Sequence, residues 1–191
     1  MRGVSIFLAD GFEITEALTT VNMLRRGGVD VRIVSIYDDR IVTSSNSIPV
    51  VADSSFAEFK ASTSFAGSDA QDVMIFPGGM PGSLNLADCT KLMDIMQKHY
   101  AQGGTVAAIC AAPSVVLSKL PDLKGKTRTG YDGFEPALQE KGVTVTKDGV
   151  VVDGQIISSR GAGHAVEFGL AILARVKDQG TADKVKKSIM L

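Results

Sequence analysis

The chain has 191 residues, enough for one well-filled core and short for two, so a single domain over residues 1–191 is expected. Its 20 Lys and Arg stand against 21 Asp and Glu, and the net charge of −1 excludes a general electrostatic attraction to nucleic acid or to an anionic membrane. Cys89 and Cys110 are too few for a disulfide framework, no basic and apolar secretory segment opens the chain, and no apolar run approaches the ~18 residues of a membrane span, so a reducing, cytoplasmic setting is expected.

Val4-Ser5-Ile6-Phe7-Leu8 is a short apolar run that reads as a strand, followed by the turn Ala9-Asp10-Gly11-Phe12. From Glu13 to Arg26 the spacing is helical, with Leu18, Val21 and Leu24 near one face, and Gly27-Gly28 ends the helix. Val29 to Ile36 alternates as a second strand. Strand, helix, strand predicts a βαβ unit with a parallel sheet and a right-handed crossover. After a turn at Tyr37 to Arg40, Ile41-Val42 and Ile48-Pro49-Val50-Val51 read as a small hairpin-like excursion. Ser54 to Ala70 has no clear period and reads as a short helix and a surface connection.

Asp72 to Phe76 resumes the strands, and Pro77-Gly78-Gly79-Met80-Pro81-Gly82 forms a glycine-rich loop at its carboxyl end. A helix from Thr90 to Gln102 turns Leu92, Ile95, Met96 and Tyr100 inward. Gly103-Gly104 leads into the run Thr105 to Ile109, and Ser114 to Leu120 reads as a helix, which leaves Cys110 at a strand-to-helix junction. Further on, Gly130-Tyr131-Asp132-Gly133 is a turn and Phe134 to Lys141 a short helix. Val143-Thr144-Val145 and Val150-Val151-Val152 flank the turn Lys147-Asp148-Gly149, and Gln155 to Ser159 is another strand. Arg160-Gly161-Ala162-Gly163 is a second glycine-bearing loop. Helices from His164 to Asp178 and from Thr181 to about Ile189 close the chain, the last capped by Thr181 or Gly180.

Open parallel sheets place ligands at the carboxyl ends of their strands, so Glu16, Gly78-Gly79 and Cys110 are candidates to converge. A sharp turn at Cys110 would lift the thiol out of the sheet, and free N–H groups at the helix start would favour a thiolate. The competing reading is a buried structural cysteine. Nucleophilic work also needs a proton handler and oxyanion donors. The N–H of Ala111 and those of Gly78-Gly79 can donate. Glu13 and Glu16 both begin the first helix; a partly desolvated glutamate there could exchange protons with a thiol, whereas Glu13 reads as a carboxylate favouring the helix N-terminus. Of the two histidines, His99 lies in a polar helical stretch and reads as a solvated surface residue. His164, after a glycine loop at a strand's carboxyl end, is a candidate for the site or else a first-turn surface residue. No Cys, His or acidic residues have ligand-like spacing around either histidine, and the glycine loops match no phosphate-binding fingerprint, so neither metal nor cofactor is expected.

Together, Ile75-Phe76-Pro77-Gly78-Gly79, Ala107-Ala108-Ile109-Cys110-Ala111-Ala112-Pro113 and Ser158-Ser159-Arg160-Gly161-Ala162-Gly163 resemble the ThiJ/PfpI superfamily, and Ala9 to Glu16 fits the same pattern. The resemblance runs nearly end to end. It implies a flavodoxin-like three-layer α/β/α sandwich with a mostly parallel sheet and a nucleophile elbow at Cys110, usually in a homodimer. It also implies Cys110 as nucleophile, Glu16 as the acid hydrogen-bonded to it, and Gly79 and Ala111 as oxyanion donors. Ala111 stands where the peptidase-like branch has histidine, and Gly130-Tyr131 where the deglycase-like branch has one. Tyr131 or His164 is left to fill the third position, and Asn46 stands where some relatives have an anion-binding arginine. The activity implied is cofactor-free turnover of small reactive carbonyls of the glyoxalase III or deglycase type. The alternatives are a redox-sensing stress protein acting through Cys110 oxidation and an intracellular cysteine peptidase.

Overall fold

The computed structural model describes residues 1–191. In chain order the elements are β1 (Val4–Leu8), α1 (Ile14–Arg26), β2 (Val31–Ser35), β3 (Ile41–Thr43), β4 (Pro49–Val51), α2 (Phe56–Ser62), β5 (Val73–Phe76), α3 (Gly82–Asp88), α4 (Thr90–Ala101) and β6 (Thr105–Ile109). There follow α5 (Ala112–Val115), a 3-10 turn (Leu117–Lys119), β7 (Thr127–Arg128), α6 (Pro136–Gln139), β8 (Thr144–Val145), β9 (Val150–Asp153), β10 (Ile156–Ser159), a second 3-10 turn (Ala162–His164), α7 (Ala165–Val176) and α8 (Gln179–Ser188).

The central sheet has six strands in the order β2-β1-β5-β6-β10-β9, all parallel except the edge strand β9, which runs antiparallel to β10. Alternation along the strands divides the interior into two cores. Ile6, Ile75 and Ala107 face a layer built from α1, α7 and α8, while Phe7, Phe76 and Ala108 face α2, α4 and α5. Both cores need apolar side chains from every central strand, which is why these strands read as continuous apolar runs. The result is a three-layer α/β/α sandwich, as expected. No helix is long and apolar enough to cross a membrane.

The βαβ start, the β3–β4 excursion and the short α2 lie where the sequence places them. Four features differ. Helix α3 starts on Gly82 directly after Pro81, a pairing that reads as loop from composition alone. The helix expected over Ser114 to Leu120 begins earlier, at Ala112, and gives way to the 3-10 turn. The runs around Val145 and Val151 do not pair with each other: β8 lies beside β7, and β9 on β10. The last helix is capped by Asp178, whose carboxylate accepts from the Thr181 N–H at 2.7 Å, not by Thr181 or Gly180.

His99 also departs from its expected surface position, for its side chain is fully buried. One ring nitrogen, Nε2, donates to the Thr105 carbonyl at 2.9 Å, and Nδ1 lies 3.0 Å from the Ser68 hydroxyl and from the Met1 ammonium. With a carbonyl on one side and donors on the other, the buried ring is satisfied as a neutral imidazole, and burial holds its pKa below the ordinary value.

Candidate active site

Cys110 follows β6 directly and has φ +65°, a left-handed conformation that a side chain other than glycine rarely adopts. Two remote segments hold it there. The Cys110 N–H donates to the Ser159 carbonyl at the end of β10 (2.9 Å), and the Tyr131 N–H donates to the Cys110 carbonyl (2.8 Å). The chain then enters α5, and Cys110 is left half-buried at the edge of the core.

Opposite the thiol, α1 presents Glu16 at 1% exposure. Its neighbour Glu13 does different work. The Glu13 carboxylate caps the helix by accepting from the Glu16 N–H at 2.6 Å, which leaves only Glu16 directed inward. Oε2 of Glu16 accepts from the Gly78 N–H at 2.8 Å, the buried Oε1 has no hydrogen-bond partner, and the carboxyl as a whole interacts with the Cys110 thiol. Glycine is required at the meeting point. A Cβ on Gly78 would come within 2.5 Å of the Cys110 Cβ and 2.7 Å of Glu16 Oε2. Gly79, at φ +90°, packs on the backbone of Gly11 to Glu13, and its N–H, like that of Ala111, favours an anion on the sulfur.

These contacts set the electrostatics of a coupled pair. Burial raises the Glu16 carboxyl from the ordinary range to about 7, against the opposing pull of the Gly78 N–H and of the thiol. Burial and then the Glu16 charge and hydrogen bond push the Cys110 thiol up to about 12, against the N–H groups of Ala111 and Gly79. Helix-start donors therefore do not by themselves make Cys110 a thiolate, contrary to the sequence reading. Near neutral pH the sulfur therefore keeps its proton while the carboxyl is poised between its two forms. An anion on either group suppresses ionisation of the other.

Tyr131 and His164 line one open cavity of about 650 Å³ together with Asp132, Arg160 and Gly161 to Gly163. Cys110 does not line it. The two are joined by the Tyr131 backbone bond, and neither side chain bonds the thiol. His164 Nδ1 is instead 2.8 Å from Glu167 Oε2, and its ring sits against Gly149. Arg160 donates to Asp132 at 2.8 Å, and Lys147 bridges Asp132 and Glu135 at 2.8 and 2.7 Å, so the charges on that rim are paired. Sequence reading missed Glu167 and Asp132; an acid three residues after a helical histidine is the signal that could have found the first. Asn46 is exposed in the β3–β4 turn. No three His, Cys, Asp or Glu side chains gather closely enough to hold a metal ion.

Comparison with known proteins gives the same frame. The chain is 33% identical over 190 residues to Protein DJ-1 homolog A of Arabidopsis thaliana, covering all of this chain and 47% of that one, about half its length. It is 32% identical over 190 residues to Protein dj-1beta of Drosophila melanogaster, covering 100% and 97% of the two chains, and the crystal structure of Drosophila DJ-1beta superimposes with a TM-score of 0.87 at 30% identity, covering 100% and 99%. Glutathione-independent glyoxalase DJ-1 of Schizosaccharomyces pombe is 27% identical over 194 residues, covering both chains fully. The model of the DJ-1/PfpI family matches residues 2–175, and with the fold shared throughout, this chain belongs to the DJ-1/PfpI family.

Proposed function

We propose that the protein is a cofactor-free enzyme acting on small reactive carbonyls, with Cys110 as nucleophile and Glu16 as acid and base. The observation that carries this reading is the buried Glu16 carboxyl, raised to about 7 beside a half-buried thiol. In the reactive form the sulfur is a thiolate supported by the Ala111 and Gly79 N–H groups, and the proton is on Glu16. The thiolate adds to the aldehyde carbon of a 2-oxoaldehyde, and the carbonyl oxygen takes up a proton to give a hemithioacetal. Glu16, now a carboxylate, removes the proton from that carbon and returns it to the neighbouring one, while the hydroxyl proton of the hemithioacetal passes to the neighbouring oxygen. The first carbon is thereby oxidised to a thioester and the second reduced to an alcohol. Water hydrolyses the thioester, releases the 2-hydroxy acid and restores the thiol. Atoms and electrons balance within the substrate plus one water, so no redox partner is needed. The glyoxalase name of the S. pombe relative agrees with this class.

The test is methylglyoxal consumption with lactate as product. Cys110→Ala and Glu16→Gln should each reduce turnover by at least about a hundredfold, the usual worth of a nucleophile or general base. Retained lactate formation in the Cys110→Ala protein would refute the assignment.

A second reading rests on the same N–H groups. Oxidation of Cys110 by peroxide to sulfinic acid would place an anion where Ala111 and Gly79 donate, beside a protonated Glu16. Intact mass after mild peroxide separates the two: a gain of two oxygens without methylglyoxal turnover favours the sensor. The peptidase reading has less support, since Ala111 follows the cysteine and His164 is engaged by Glu167. A homodimer, a cytoplasmic setting and a single functional domain over residues 1–191 complete the proposal.

A further inference from the structure

We infer that a pocket at the end of the sheet opposite Cys110 binds a small monocarboxylate with an apolar body, such as an aromatic acid. The pocket holds about 250 Å³ and is lined by Met1, Lys60, Phe65, Ile95, Lys98, His99 and Gln102. Its wall residue His99 binds the carbonyl of Thr105, the first residue of β6, whereas Cys110 follows the last. Five residues of strand, roughly 17 Å, therefore separate the pocket from the thiol.

The shape restricts the ligand first. At this volume the pocket lies below the roughly 300–1,000 Å³ of drug-sized ligand sites, and it suits a single ring or a short chain. Its apolar side is made by Ile95, Met1 and Phe65, whose ring is fixed edge-on against Phe59 at 5.9 Å. His99 contributes a wall and no demand, because both ring nitrogens are already bonded within the protein. Charge restricts the ligand next. Lys60 and Lys98 stand at the rim from α2 and α4, no acidic residue lines the pocket, and neither lysine takes part in an ion pair. The Lys60 ammonium is placed 5.0 Å above the Phe56 ring, with its remaining donors available. The cavity near Tyr131 differs in this respect, since its Arg160 is neutralised by Asp132. Two uncommitted cations over an apolar floor match a carboxylate on a hydrophobic stem.

The test is an amide NMR titration of the full chain with benzoate, and with benzyl alcohol and benzylamine as neutral and cationic probes of the same shape. Benzoate should give saturable shifts centred on Ile95, Lys98 and Gln102 at around millimolar concentration, as expected for a ligand of so few atoms. Benzyl alcohol should bind at least about fivefold more weakly, and benzylamine not at all. The double variant Lys60→Glu, Lys98→Glu lies on the surface and should keep its far-UV spectrum and its Cys110 alkylation rate while losing benzoate affinity by at least about tenfold. Shifts that do not saturate, shifts that map elsewhere, equal binding of the three probes, or full affinity in the double variant would each overturn the inference. Phe65→Ser is an uncharged control that should weaken benzoate and benzyl alcohol alike, and unchanged affinity for both would also overturn the inference.

Discussion

Gly78 touches Glu16 with its backbone only: its N–H donates to Glu16 Oε2 at 2.8 Å, and the place where a side chain would begin is taken by that same oxygen and by Cys110. The acid and the nucleophile meet across a residue that contributes a donor and no bulk.

Replacing Gly78 with Ala should therefore separate the pair. The new Cβ would lie 2.5 Å from the Cys110 Cβ, 2.7 Å from Glu16 Oε2 and 3.0 Å from the Ile109 carbonyl, and two of these neighbours are backbone or directly attached to it. We expect a stability loss of about 1–3 kcal/mol and a turnover loss of about a hundredfold, since misplacement by an ångström costs that much. Gly154→Ala, at φ +61° but with open space around it, is the control: it should lose about 1 kcal/mol and keep full turnover. Urea unfolding and methylglyoxal assays on both variants check this.

Glu16→Gln should change how stability depends on pH. The carboxyl titrates at about 7 in the folded protein, above its unfolded value, so the folded state holds the extra proton between roughly pH 4.5 and 7. Its stabilising effect is complete below the unfolded pKa and is lost as pH rises through the folded one. The Gln variant lacks that loss, and should be more stable than the native chain by up to about 3 kcal/mol at pH 8, with the two equal near pH 4. Denaturation midpoints at both pH values decide it; a constant difference would show that the carboxyl is not the titrating group.

Arg128 should be replaceable. It is 1% exposed, Nη1 donates to the Thr127 carbonyl at 2.6 Å and to Asp153 at 3.2 Å, and Nε and Nη2 have no partner. A desolvated guanidinium with two idle donors contributes little, and Arg128→Met should be neutral or stabilising by about 1–4 kcal/mol. Asp153→Asn leaves the buried cation without its counter-ion and should destabilise by about 3–5 kcal/mol. Equal losses from the two variants, read by urea unfolding, would contradict this account.

His164 should spare the thiol. Its ring is tied to Glu167 and not to Cys110, and the cavity it lines does not include the thiol, so His164→Ala should leave both the pH profile of Cys110 alkylation and methylglyoxal turnover unchanged within about twofold. A displaced alkylation profile would mean that the histidine reaches the sulfur.

Much of the fold was legible because the relevant signals are local. Fully apolar strands such as Val73 to Phe76 declare burial on two faces, and Gly27-Gly28 marks where α1 stops. The site was legible in part for the same reason: a cysteine between a strand and a helix defines its own position. Long-range pairing left no such trace. Nothing in Gln97-Lys98-His99 reveals that the histidine is buried, because its partners Ser68 and Thr105 are supplied by other segments. The choice between Glu13 and Glu16 also depends on the helix start, where one carboxylate caps and the other turns in. The partner of β8 lies in β7, seventeen positions earlier from Thr127 to Thr144, and alternation within either run says nothing of it.

The left-handed posture of Cys110 is maintained by Ser159 and Tyr131, segments that come from other parts of the chain. A residue so placed stores about 1–3 kcal/mol of strain and relaxes as soon as either support lets go. Tyr131 belongs to an exposed loop, and such loops open more readily than the sheet beneath them. Warming should therefore undo the site around the thiol before it melts the protein, and a rise in alkylation at Cys110 relative to Cys89 would register the first loosening of the molecule at temperatures where its helices and strands are still intact.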